Sequence, residues 1–359
     1  MGLSEEDVMK ILVFGAGPLG SILAARLHQG GQDVALLARG QRLSDLRSHG
    51  VCLRNWRSGE EESVQVPLVE SFGAENKYDL VIVVMRKNSA LRILPQLAEN
   101  KNVPLYLFLM NNAAGPDALI AQLGAERVMM GFPGMAGYRE GRIITYISAD
   151  AEHPAGIVIG ETDGIITKRT KMIASHLERG RHIRVSIEPY MDAWSKYHVA
   201  LLFPTLAPAL YLCGNDHLRL SRTRDAVVLA WRGIKEGFAV LKKLGYPVRP
   251  PSFKRFLWLP EPLMIPFLQK VLKNPRMEVA MARHAEVIRD EITQLNQEFR
   301  ALIERSGLFT PAIDFLMGQF NCKGPHLPDG ARNLRLRWSG LLIPLFVLVL
   351  LGLVLMYLL

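Results

Sequence analysis

Residues Lys10 to Leu27 read KILVFGAGPLGSILAARL, and this stretch decides the fold. Ile11 to Phe14 are an apolar run, a glycine-rich turn follows, and Leu19, Ile22, Leu23 and Leu27 then recur at helical spacing. Strand, turn and helix in this order predict the opening of a nucleotide-binding sheet. In the turn Gly15, Gly17 and Gly20 form GxGxxG, with Ala16, Pro18 and Leu19 between them. The absent side chains permit a tight turn, close approach of a pyrophosphate and close helix packing. The free N–H groups and dipole of the helix N-terminus favour that anion. A lone GxGxxG is weak evidence, but here a second apolar strand, Val34 to Ala38, follows at βαβ separation and ends in Arg39. An NAD-specific site usually carries an acid near there. Arg39 instead offers a guanidinium fork suited to the 2′-phosphate of NADP, the alternative being a solvated arginine at a strand end. Gln41 and Arg42 follow on the same loop.

Further buried strands are expected from Asp79 to Val84 and from Pro104 to Leu109. The turn Asn111-Asn112-Ala113-Ala114-Gly115 comes next, where ligands collect at the C-terminal ends of sheet strands. Asn112 is either a hydrogen-bonding residue for nicotinamide or substrate, or a turn asparagine chosen for its backbone tolerance. Beyond about Ser186 the pattern becomes helical, around Met191 to Phe203, Arg222 to Leu244 and Met277 to Ser306. Lys196 sits beside Trp194 and before the run Val199 to Phe203, so its ammonium is either partly withdrawn from water, which eases proton release, or snorkelling to the surface. Glu291 borders the apolar stripe of Val287, Ile288, Ile292, Leu295 and Phe299, and faces either a cleft or plain solvent.

The 359 residues suggest two domains and a tail. Apolar residues make up 49% and charged residues 21%, values that fit an ordered globular chain. The 43 Lys and Arg exceed the 34 Asp and Glu, yet no basic block interleaved with aromatics appears, so nucleic acid is the least favoured partner. Cys52, Cys213 and Cys322 are too few and too widely spaced for a disulfide framework or a zinc site, and no metal is expected.

Gly340 to Leu359, GLLIPLFVLVLLGLVLMYLL, carries no charge. About 20 residues at ~1.5 Å each span the ~30 Å hydrocarbon core, so a membrane helix is expected. Arg332, Arg335 and Arg337 precede it and should hold the chain before it on the cytoplasmic side, as a single-pass, tail-anchored membrane protein in contact with lipid. The basic, proline-rich stretch from Pro251 to Pro275 is a substrate lid, a lipid contact or an irregular connection packed on the core.

From Lys10 to about Phe315 the chain resembles the ketopantoate reductases. The carriers are KILVFGAGPLGSILAARL, LLARGQRLSDLRSHGV, the LMNNAAG turn with Asn112, IGE at Ile159 to Glu161, AWSK ending in Lys196, and EITQLN with Glu291 and Asn296. The resemblance implies an α/β fold, with an N-terminal Rossmann-like doubly wound parallel sheet (1–185), then a mostly α-helical domain (186–325). A basic linker (326–339) and the transmembrane helix (340–359) complete the expected order. It implies reduction of a small carbonyl substrate with NADP(H), Lys196 as general acid, Glu291 as the orienting carboxylate and Asn296 as a substrate contact. The family's lysine after the third expected strand falls on Arg86, counted with the cofactor-binding residues, and Lys87 is adjacent. Two polar positions after the catalytic lysine fall on Ala200 and Pro204, and a serine falls near Val279, which implies a more apolar substrate. A membrane-tethered reductase of a lipophilic carbonyl and a non-catalytic NADPH-binding protein are the competing readings, and a homodimer is among the open assemblies.

Overall fold

The computed structural model describes residues 8–282, 289–320 and 327–338. It divides into two compact units: Met1–Val199 with Glu286–Phe299, and Ala200–Ala285 with Arg300–Leu359.

In the first unit the chain forms β1 (Lys10–Phe14), α1 (Pro18–Gln29), β2 (Asp33–Leu37), α2 (Gly40–His49), β3 (Val51–Asn55), β4 (Glu61–Val64), β5 (Leu68–Val69), β6 (Leu80–Val83), α3 (Lys87–Glu99), β7 (Tyr106–Leu109) and α4 (Asp117–Leu123). Then come β8 (Val128–Phe132), β9 (Ala136–Glu140), β10 (Ile143–Ile147), β11 (Ala155–Glu161), α5 (Lys168–Glu178), β12 (Ile183–Ile187) and α6 (Met191–Leu201). Eight strands make one sheet in the order β5-β2-β1-β6-β7-β8-β11-β12. From β1 the chain runs outward to β2 and β5, then returns to β6 on the other side. The strand order therefore reverses between β1 and β6, where such sheets bind ligands beyond the strand ends.

Alternate residues of β1 enter opposite cores, Ile11 and Val13 with α1 and Leu12 and Phe14 with α3, which is why the strand is apolar without interruption. Two expectations need correction. The sheet is not parallel throughout, because β11 runs antiparallel to β8. A boundary at 185 would also cut β12, whose residues Ile183 to Ile187 pair with β11.

A second sheet, β4-β3-β10-β9, had no counterpart in the sequence reading. Arg26 of α1 fastens it. Its side chain is buried, with Nε donating to Ala149 O at 2.8 Å, Nη1 to Glu62 Oε1 at 2.6 Å and Nη2 to the Tyr146 hydroxyl at 2.8 Å.

The second unit contains α7 (Ala207–Leu212), α8 (His217–Arg222), α9 (Arg224–Lys243), α10 (Phe253–Trp258), α11 (Glu261–Leu272) and α13 (Pro311–Phe320). The helix α12 (Arg289–Ser306) starts among residues of the first unit and ends in the second. A Cβ on Gly233 of α9 would lie 2.9 Å from Thr205 Cγ2, so glycine permits that close crossing.

The stretch expected as a basic linker is a docked strap over residues 327–338. The Asp225 carboxylate accepts from Asn333 N at 2.7 Å and Leu334 N at 3.0 Å, Arg232 Nη2 donates to Arg335 O at 2.7 Å, and Arg337 N donates to Glu261 Oε1 at 3.1 Å. The expected spanning segment 340–359 lies outside the described residues. Among the described residues no helix is long and apolar enough to cross a membrane.

Candidate active site

The glycine-rich turn closes on itself where the sheet order reverses. Gly15 has φ +128°, and a Cβ there would lie 2.4 Å from Val84 O at the end of β6. A Cβ on Gly20 would lie 1.9 Å from Gly15 O, so α1 sits directly on the turn. Gly17 differs: its Cβ would meet no protein atom within 4 Å. Internal packing therefore does not require that glycine, whereas a pyrophosphate approaching the N-terminus of α1 would. Ala16, Pro18 and Leu19 complete the turn and the first turn of α1. Arg39 stands exposed at the start of α2 and among the described residues donates only a long 3.4 Å bond, to Glu70 O. Arg42, which the sequence only placed nearby, reaches back to the turn, with Nε donating to Ala16 O at 3.3 Å and Nη2 to Ser21 Oγ at 3.1 Å. Burial lowers its pKa, assisted by the charge of Arg139. The exposed fork of Arg39 and the open face of Gly17 leave room for the phosphates of a dinucleotide.

After β7 the Asn112 turn is knotted by its own side chain. Oδ1 accepts from Gly115 N at 3.0 Å and Nδ2 donates to Gly115 O at 2.8 Å, so the turn reading of Asn112 describes what its amide does. The same Oδ1 accepts from Lys87 Nζ at 2.6 Å. Lys87, rather than Arg86, is the buried cation. Arg86 is partly exposed and pairs with Asp290 at 2.8 Å. Lys87 also pairs with Glu298 Oε2 at 2.7 Å, and that oxygen accepts from Ala113 N at 3.2 Å and Ala114 N at 3.1 Å.

Lys196 is buried on α6 and ion-paired with Asp192 one turn earlier. A Cβ on Gly115, which has φ +97°, would lie 3.3 Å from Lys196 Nζ, placing the ammonium against the Asn112 turn. Desolvation lowers the pKa of Lys87, Glu298 opposes this, and the nearby charge of Lys196 lowers it further. Glu291 and Glu298 are seven residues apart, two turns of α12, and share one face. Glu291 is buried, and Asn111 Nδ2 donates to its Oε1 at 3.4 Å. Desolvation raises its carboxyl pKa, offset in part by Asn111 and Arg86. Asn296 is buried too, but five positions from Glu291 turn it about 140° around the helix. Its Oδ1, like that of Asn111, has no partner among the described residues.

The structure thus gathers Lys196, Asn112 and Glu291 around one turn and adds Lys87, Asn111, Asp192 and Glu298. Lys87 and Asn111 stand next to residues the sequence singled out, whereas Asp192 and Glu298 are ordinary polar residues until the fold points them at the turn. The spacing of Asp192 from Lys196 and of Glu298 from Glu291 was the available signal. Two carriers of the resemblance are structural: a Cβ on Gly160 would strike Glu188 O at 2.2 Å, and buried Glu161 is held by Arg169 and Thr170. Among the described residues no cluster of three or more His, Cys, Asp or Glu is placed to hold a metal.

The family model described as Ketopantoate reductase PanE/ApbA matches residues 11–164. A protein of Mesorhizobium japonicum named 2-dehydropantoate 2-reductase is 36% identical, the match covering 66% of this chain and 77% of that protein. The chain belongs to the ketopantoate reductase family. The fold agrees with solved structures at lower identity. D-mandelate dehydrogenase, solved with NADH and anilino(oxo)acetate, has a TM-score of 0.70 at 17% identity over 87% of this chain and 97% of that one. A PanE/ApbA family ketopantoate reductase from Ralstonia eutropha has a TM-score of 0.66 at 19% identity over 87% and 97%. Within this ketopantoate reductase-family chain the family model ends at 164, so it reaches the glycine-rich turn and Asn112 but neither Lys196 nor Glu291.

Proposed function

We propose that this chain is an NADPH-dependent reductase of a 2-oxo acid or similar small carbonyl, with Lys196 as its general acid. The observation that carries the reading is the buried Lys196 ammonium against the Asn112–Gly115 turn, with Glu291 on the other flank of the same turn. The residues that would hold the nucleotide are Gly15 to Gly20, Arg39 and Arg42, and a reduced nicotinamide supplies a hydride when bound. Lys196 Nζ holds the proton that the carbonyl oxygen takes up as negative charge develops there. Asp192 fixes the direction of that ammonium. Glu291 accepts from a polar group of the substrate, and the Asn111 amide orients it.

The test is NADPH oxidation against a panel of 2-oxo acids, with Lys196→Ala alongside. Turnover should fall roughly 10²–10⁴-fold in the variant while NADPH affinity changes little. Near-normal turnover would remove Lys196 from the mechanism. Nucleotide binding without reduction of any carbonyl would favour the non-catalytic reading.

A membrane tether is part of the proposal. Its support is the uncharged segment 340–359 and the exposed side chains of Arg332, Arg335 and Arg337 before it, which favour a cytoplasmic active site. Ala200, Pro204 and Val279 stand at or near positions where the resemblance expects polar groups, which favours a lipophilic substrate. Alkaline washing of membranes should leave the full chain in the pellet, and release into the supernatant would refute a spanning helix.

A further inference from the structure

Helices α10 and α11 of the second unit turn Phe256, Trp258, Leu259, Leu263, Phe267 and Val271 outward, and Trp258 is 87% exposed. The rings of Phe256 and Phe267 lie 5.9 Å apart, so the two helices present one continuous apolar face. On α11 Leu263, Phe267 and Val271 recur every fourth residue, while Met264, Ile265 and Leu272 are buried. The outward residues are therefore a second stripe that the core does not use. Lys254, Arg255, Lys270 and Lys273 are exposed around it. Between Arg249 and Arg276 the sequence contains a single acid, Glu261, and it is buried against Arg232. The charge shown to solvent by this segment is thus of one sign.

The path of the chain indicates what covers the face. Arg337 N and Arg232 both donate to the Glu261 carboxylate, at the first residue of α11. The uncharged segment 340–359 begins three residues after Arg337. We infer that the α10–α11 face lies on the anionic surface of the bilayer which that segment enters, as a second contact made in the plane of the lipid headgroups. Aromatic and aliphatic side chains enter the headgroup boundary, and the lysines and arginine around them meet anionic lipid. The location rests on the spanning reading above, whereas the stripe and its charge stand on the second unit alone. A solvated helical connection would not expose six large apolar side chains together.

The experiment uses the full chain reconstituted in vesicles whose lipids are brominated near the headgroup end of the acyl chains. Trp258 is read as the difference between the unaltered protein and Trp258→Phe. In vesicles containing phosphatidylglycerol the Trp258 emission should be quenched at least twofold, and high salt or purely phosphatidylcholine vesicles should reduce the quenching. Leu263→Glu with Phe267→Glu should abolish the quenching while the protein stays in the pellet after an alkaline wash. Unquenched Trp258 in the unaltered protein overturns the inference, whether the face then proves to bind a second copy, the 340–359 segment or substrate. Quenching equal in neutral and anionic vesicles overturns its anionic part. Alkaline release together with quenched Trp258 refutes the spanning helix and leaves the surface contact standing.

Discussion

Lys87 Nζ lies 2.7 Å from Glu298 Oε2, and both side chains are almost wholly withdrawn from water. The same carboxylate oxygen caps Ala113 N and Ala114 N, so one acid neutralises the lysine and holds the turn that faces Lys196. Removing one partner of a buried pair leaves the other uncompensated, at about 3–5 kcal/mol. Glu298→Gln should therefore destabilise the protein by that order and lower turnover. Lys87→Met combined with Glu298→Gln should be milder than the sum of the two single changes by more than 1 kcal/mol, roughly the scale of a coupled pair. Additive effects in urea unfolding would show that the pair does not act as a unit.

Glu291 should oppose stability while serving function. Burial raises its carboxyl pKa above the ordinary 4.5, so the ionised form is disfavoured in the fold. Its stabilising contribution is full below the unfolded pKa and disappears as pH rises through the folded value. Glu291→Gln should melt about 1–2 °C higher than the unaltered protein at pH 8, with no difference near pH 4, as roughly 1 kcal/mol would give in a chain of this size. Turnover and substrate affinity should fall together. A melting difference independent of pH would show that the carboxyl is not strained by burial.

Arg39 and Arg42 should separate by cofactor. On the proposed reading the exposed Arg39 fork meets a 2′-phosphate, and a charge-assisted contact of about 1.5–3 kcal/mol corresponds to roughly tenfold or more in affinity. Arg39→Ala should weaken NADPH by that factor and leave NADH unchanged. Arg42 instead braces the Ala16 carbonyl and Ser21, so Arg42→Ala should weaken both cofactors alike. Titration of each variant with both nucleotides decides, and equal binding of NADPH and NADH by the unaltered protein would refute the Arg39 role.

Arg26 is predicted to be structural. Its fully buried guanidinium joins α1 to Glu62 of β4 and Tyr146 of β10, and Arg26→Ala leaves that acid and hydroxyl without their partner. The expected loss is about 1–3 kcal/mol, because Glu62 is partly exposed and keeps its bond from Gln29. Chemical denaturation measures it, and a loss below about 1 kcal/mol would mean the small sheet holds its place without the arginine.

The first βαβ unit was legible in the sequence because its signals are local. Four apolar residues, three glycines with fixed spacing and a helical repeat each follow from backbone geometry within some thirty residues. The strands β6 and β7 were legible for the same reason, being buried on both faces and hence apolar throughout. Lys196 and Glu291 were reached through resemblance, since neither a lysine near a tryptophan nor a glutamate on a helix announces its surroundings. Tertiary structure alone decided that Lys87 rather than Arg86 turns inward, because neighbouring residues at the start of α3 point in different directions and only the Asn112 turn and Glu298 select between them. It likewise decided that Asn111 rather than Asn112 meets Glu291, and that Arg26, one charge in an apolar helix, is a buried tie. Local sequence fixes which way the backbone runs and how often it repeats. The partner of a buried charge comes from elsewhere in the chain, 36 residues away for Arg26 and 211 for Lys87, and no local pattern encodes that distance.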